Sequence, residues 1–231
     1  MAEQTGEEAK EQNIKAMGKA LGVQYTQLWQ EIAQLNIIWK EFIELFGTKT
    51  SRIELLNRSA GAFFRMVQDG IWEAIVLHIA RVTDPPQSPG GKDRQNLTLH
   101  NLPALIPDLK LKGEVKLLCD EATANTKFAR DWRNRRIAHR DLDLALGGKA
   151  KPLPSVPIKH VNDALASFEN IMNAIALPYL NSTTSFDHSI RLHGALELLY
   201  LLDDGHVLQA ERKKRLVGSN YAIDPFPIRD L

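Results

Sequence analysis

The chain has 231 residues, 44% hydrophobic and 25% charged, with 29 Lys and Arg against 28 Asp and Glu for a net charge of +1. That is the make-up of a globular protein able to bury a core, and it means that any strongly cationic surface must be local. The single Cys119 excludes an intramolecular disulfide and a multi-cysteine zinc site, and no window of about 18 uncharged apolar residues offers a membrane span.

The polar start MAEQTGEEAKEQN has no apolar run of a secretory leader, so a cytoplasmic protein is expected, with residues 1–13 flexible. A long helix is predicted through Leu21, Leu28, Trp29, Ile32, Leu35, Trp39, Phe42 and Phe46, whose steps of three, four and seven make one apolar face. Gly47 stops it. Ser51 with Glu54 forms a capping box for a second long helix carrying Ile53, Leu56, Phe63, Phe64, Val67, Ile71, Ile75, Ile79 and Val82. The aromatic residues at helical spacing are read as core. The breaker-rich loop DPPQSPGGKDRQN follows. A short helix near 97–106 ends at Pro107, and Asp108 is placed to cap a third long helix over about 109–132. Cys119 lies in its apolar run as a buried thiol.

Weak alternation over 141–146 and a second loop, KAKPLPSVP, precede a fourth helix through Val161, Leu165, Phe168, Ile171, Met172, Ile175 and Tyr179. A fifth is predicted from about 187, carrying Ile190, Ala195, Leu198, Leu199 and Leu202 and continuing through AERKKRL. The tail from 217 to 231 reads as extended. No strand pattern appears. The fold class is therefore all-α, a bundle of about five main helices with long antiparallel pairs, in one domain over 14–216.

The chemistry concentrates in KFARDWRNRRIAHRDLD, residues 127–143. Lys127, Arg130, Arg133, Arg135, Arg136 and Arg140 surround His139, and Asp131 alone opposes them before Asp141. Guanidinium groups bind phosphate bidentately, and a histidine titrates near neutrality. Phosphodiester cleavage without a metal needs that pair. On an ideal helix the six steps from Arg133 to His139 advance about 600°, leaving the side chains about 120° apart. Convergence on one phosphate requires a kink, a helix end or a dimer interface. The bland reading is a solvated basic helix end, and the loose spacing recurs in Arg94 to His100. Trp132 either packs the helix end or stacks on a nucleotide. HRDL also spells a kinase catalytic loop, but Leu146 stands where that loop needs Asn. His160, His188, His193 and His206 show no metal-ligand spacing, and no metal or cofactor is expected.

RNRRIAHRDL resembles the Arg-x4-6-His motif of the HEPN superfamily, small helical bundles found in RNases of prokaryotic defence and toxin systems. TDPPQSPGGKDRQNLTLHNL further resembles its abortive-infection type-U branch. The likeness spans roughly residues 20–180. It implies an HEPN-like bundle and a metal-independent endoribonuclease in an abortive-infection or toxin–antitoxin setting, leaving 2′,3′-cyclic phosphate ends. It assigns Arg133 and His139 as the catalytic pair and Asn134 as the polar residue after the arginine. Asp141 stands where the branch paired with minimal nucleotidyltransferases has a modified Tyr, which argues against that regulation and leaves Asp141 a supporting role. RNA contact is expected from Arg130, Trp132, Arg135, Arg136 and Arg140. The expected partners are RNA, a second copy through the motif-bearing helix, and an antitoxin or regulatory protein, with no membrane. The alternatives are a non-catalytic RNA- or nucleotide-binding module and a structural dimerisation protein.

Overall fold

The structure is a computed structural model that describes residues 5–87, 94–138, 142–146, 153, 155–186 and 193–217, without the side chains of 143, 144 and 215–217. Among the described residues it is all-α, its only extended pairing being an isolated bridge between Gln87 and Gln95. In chain order the helices are α1 (Gly6–Met17), α2 (Lys19–Phe46), α3 (Thr50–Val82), a 3₁₀ turn (Leu99–Asn101), α4 (Leu102–Leu105), α5 (Leu109–Asn125) and α6 (Lys127–Trp132). A π-helical turn (Arg133–Ile137), α7 (Leu142–Ala145), α8 (Ile158–Leu180) and α9 (Ala195–Val217) follow.

Two compact units emerge. The first takes the described chain up to Trp39 and from Ile71 to Phe186; the second takes Lys40–Gly70 and the described chain from His193 onward. The helices α2 and α3 each contribute to both, so the expected single domain of 14–216 is described here as two units.

In the first unit α5 packs on α8, joined by α1 and α4. Leu21, Leu28, Ile32, Leu35, Ile75, Ile79, Leu99, Leu102, Phe168, Ile171 and Met172 are fully buried. Each such side chain contributes roughly 1.5–3 kcal/mol by leaving water. Cys119 is buried as expected, its Sγ 3.5 Å from the Leu99 carbonyl oxygen.

The flexible start expected for residues 1–13 needs correction where the chain is described, because residues 6–13 are helical. The Thr5 side chain accepts from the Glu8 N–H while Glu8 accepts from the Thr5 N–H, a reciprocal cap that starts α1. Gly18, with φ 83°, then turns the chain into α2. Gly22 lets α1 lie directly on α2, for a Cβ there would sit 2.6 Å from the backbone of Asn13 and Ile14.

Other boundaries differ by local chemistry. The helix α3 begins at Thr50, so Ser51 sits inside its first turn rather than capping it. Asp108 does cap α5, accepting from the Leu111 N–H at 2.7 Å. The helix α9 starts at Ala195, after His193, which is left-handed at φ 62°; the start expected at about 187 lies outside the described residues. The expected tail lies outside the described residues from 218 onward.

The second unit has its own small core of Leu45, Leu56, Phe64, Ala195 and Leu199. Here Ala60 interrupts α3 with an extended φ of −161°. Glu41 accepts the Ala195 N–H at 2.5 Å, capping the positive end of α9. Phe63, read as core from its spacing, is 53% exposed, so the apolar period of α3 overstates its buried face.

Candidate functional site

The residues that position the basic segment are three buried threonines. Thr98 Oγ1 donates to the carbonyls of Val82 and Asp84, at 2.9 and 2.7 Å, and so fixes the exit from α3. Thr83 Oγ1 lies 3.0 Å from Thr126 Oγ1, and Thr126 Oγ1 donates back to the Ala122 carbonyl at 2.8 Å. A back-bonded threonine bends a helix. Thr126 (φ −101°, ψ 9°) duly divides the expected single helix over 109–132 into α5 and α6. The bend aims α6 at the end of α3.

Two arginines of α6 and the π turn meet that end. Arg130 Nη1 donates to Thr83 Oγ1 at 3.0 Å and approaches the Thr83 carbonyl, while Nη2 donates to the Thr123 carbonyl. Burial lowers the Arg130 pKa, Asp84 opposes that, and neighbouring Arg133 reinforces it. It remains a cation at neutral pH. Arg133 Nη1 lies 2.5 and 2.6 Å from the two carboxylate oxygens of Asp84. Its Nε donates to Asn134 Oδ1 at 3.0 Å. Its Nη2 carries no hydrogen bond among the described residues. The guanidinium is thus held on two sides by described residues. Asp84 sits where a carboxylate is electrostatically disfavoured, at the negative end of the α3 macrodipole, and the two guanidiniums compensate it.

Arg133 also marks where α geometry stops. The Ala138 N–H donates to the Arg133 carbonyl at 2.7 Å, a five-residue step that closes a π turn over Arg133–Ile137. Such turns insert a residue into a helix and frequently lie at functional sites. Trp132 packs edge-on against Trp72, with ring centroids 5.7 Å apart and planes at 86°. Arg136 lies over the Trp132 ring at 5.7 Å, with its Nε 4.0 Å from Glu73. Arg135 is half-buried and Asn134 exposed on the same turn.

The structure therefore brings Arg130, Trp132, Arg133, Asn134 and Arg136 together around the end of α3. His139, Arg140 and Asp141 lie outside the described residues. Arg130, expected to contact RNA, directs its guanidinium to Thr83 and Thr123. Sequence reasoning missed Asp84, Trp72 and Glu73. A carboxylate two residues past the end of a helix and before Pro85 was the available signal for Asp84, since it calls for a cationic partner. His100 is also nearby: its Nε2 is 2.8 Å from Thr123 Oγ1, and burial lowers its pKa, with Asp120 opposing and Arg130 assisting.

Among the described residues no group of three or more His, Cys, Asp and Glu is placed to hold a metal ion. There His206 meets Ser59 at 2.8 Å, His193 meets Glu197 at 2.7 Å, and the His160 ring lies 6.2 Å from that of Phe128. His188 lies outside the described residues. No described helix is long and apolar enough to cross a membrane.

An all-α scaffold that carries its motif arginine at a helix irregularity is consistent with a HEPN helical bundle. The family model for AbiU2 HEPN domains matches residues 18–194, and the chain belongs to that family, a HEPN domain of the abortive-infection type. No curated protein and no solved structure matches it.

Proposed function

We propose that the protein is a metal-independent endoribonuclease acting in the cytoplasm in abortive infection. The observation that carries this reading is the state of Arg133. Asp84 and Asn134 orient its guanidinium through Nη1 and Nε, and among the described residues no partner takes its Nη2, the atom we assign to a phosphate oxygen. A cation preorganised in this way stabilises charge developing on a phosphorane without reorganising during the reaction.

In the proposed reaction the RNA 2′-oxygen attacks the adjacent phosphorus as a general base takes its proton. The P–O5′ bond breaks, and a general acid protonates the leaving 5′-oxygen. Two imidazoles suit these two transfers, and a two-fold dimer supplies one His139 from each copy. Between such copies the arginines need an anion, which the RNA backbone provides. Arg135, Arg136 and Arg140 would add backbone contacts, and Asp141 and Trp132 support the segment.

The test is cleavage of single-stranded RNA in EDTA. Expected are 2′,3′-cyclic phosphate and 5′-hydroxyl ends, a loss of about 10²–10⁴-fold in His139→Ala, and poor rescue by Arg133→Lys, whose ammonium cannot hold Asp84, Asn134 and a phosphate oxygen on the three fixed edges of one plane. Activity that requires Mg²⁺, or that is unchanged in His139→Ala, overturns the reading. The Asp84 ion pair favours one other reading, a binding module in which Arg133 is structural. Salt-sensitive RNA binding without cleavage would select it.

A further inference from the structure

The end of α3 carries a second guanidinium held in the same manner as that of Arg133. Arg81, in the last turn of α3, places its Nη2 2.6 Å from Oε2 of Glu31 on α2. The His78 ring stands behind this carboxylate, its Nε2 2.8 Å from the same oxygen and its side chain only 11% exposed. Burial lowers the His78 pKa, with Arg81 assisting and Glu31 opposing. Near neutrality the ring is therefore uncharged, and Arg81 is the cation that faces Glu31. The Nε and Nη1 groups of Arg81 carry no hydrogen bond among the described residues, and the side chain is 57% exposed.

Arg81 is joined to the Arg133 cluster through the backbone. The Asp84 N–H donates to the Arg81 carbonyl at 3.2 Å, so the carboxylate that orients Arg133 and the arginine anchored by Glu31 share one turn. Residues three apart on a helical turn have Cβ atoms about 5–6 Å apart. Two guanidiniums, one from α3 and one from the π turn, are thus fixed at one helix end by separate carboxylates. Glu31 and Asp84 are both already paired, which reduces their repulsion of an incoming anion.

An exposed ion pair contributes little to stability. What the Glu31 pair does is hold a planar set of donors in one place, which lessens the side-chain freedom lost when they take up a ligand. Neighbouring fixed guanidiniums suit a ligand with successive anionic groups, and consecutive phosphates of a nucleic-acid strand are such groups. We propose that Arg81 is a second phosphate site: with Arg133 on the scissile phosphate, Arg81 takes the next phosphate of the same single-stranded RNA. This rests on the reading of Arg133 given above. It makes the substrate a strand with at least two consecutive phosphates, rather than a dinucleotide joined by one.

The test is binding of a labelled single-stranded oligoribonucleotide to the full chain carrying His139→Ala, with and without Arg81→Gln, across a salt series. Arg81→Gln should fold as the unsubstituted chain does and weaken binding about tenfold, as a lost charge-assisted hydrogen bond does. The slope of log affinity against log salt should fall by about 0.7, the share of one phosphate contact on a single strand. Arg81→Lys should restore the slope but only part of the affinity. A neutral methylphosphonate moved along the strand should cost the same tenfold at one position, and nothing further there in Arg81→Gln. That position should adjoin the one that Arg133→Gln makes insensitive. The proposal is overturned if Arg81→Gln leaves affinity and slope unchanged, or if its loss adds to the methylphosphonate loss at every position. Binding that depends on Arg81, in a chain that does not cleave, would overturn the ribonuclease reading alone. No RNA binding at all would overturn both.

Discussion

Replacing Asp84 by Asn removes one charge and almost no volume, and it tests how Arg133 is held. With Nη1 at 2.5–2.6 Å from both carboxylate oxygens, the charge centres are about 4 Å apart, worth ~4 kcal/mol at an effective dielectric near 20. The side chains are 22% and 21% exposed, so solvent screening reduces this to about 2 kcal/mol. Loss of the carboxylate also leaves Arg130 and Arg133 as neighbouring like charges. Asp84→Asn should therefore destabilise the fold by about 2–3 kcal/mol, a fall in Tm of roughly 5–10 °C for a chain of this size. The assay is a urea titration followed by circular dichroism for Asp84→Asn, Arg133→Gln and the double variant. A coupling energy of about 2 kcal/mol is expected. Effects that add to within about 0.5 kcal/mol would refute the ion pair as the element that orients Arg133.

Gly22→Ala should cost about 2 kcal/mol or more, because its Cβ would meet backbone of α1 that cannot move aside as a side chain would; a Tm within a degree of the parent would show that α1 does not lie on α2. The Cys119 thiol, raised to about 12 by burial, should stay unreactive toward a disulfide reagent at pH 8 and react at once in denaturant. Stoichiometric labelling of the folded chain would contradict its burial.

What could be read along the chain was local. The period of Leu28, Ile32, Leu35 and Trp39 located α2, and Asp108 announced the start of α5, because both signals act within a turn or two. The Thr5–Glu8 box was equally legible but was outweighed by a polar composition that resembles a flexible terminus. The bend at Thr126 was not legible, since its hydroxyl depends on Thr83, 43 residues away. The pairing of Arg133 with Asp84 spans 49 residues and exists only once α3 and α6 meet. The motif arginine could be named from its neighbours, whereas the carboxylate that orients it could not.

The π turn at Arg133–Ile137 also bears on how such a motif can vary in length. A π turn is an α-helix that has absorbed one inserted residue without breaking. Removing that residue would restore the regular period and rotate everything downstream by about 100°. The segment just after the arginine is thus a place where insertion and deletion act as a rotary adjustment rather than as damage. A motif written with a variable number of residues between its arginine and histidine belongs in such a segment.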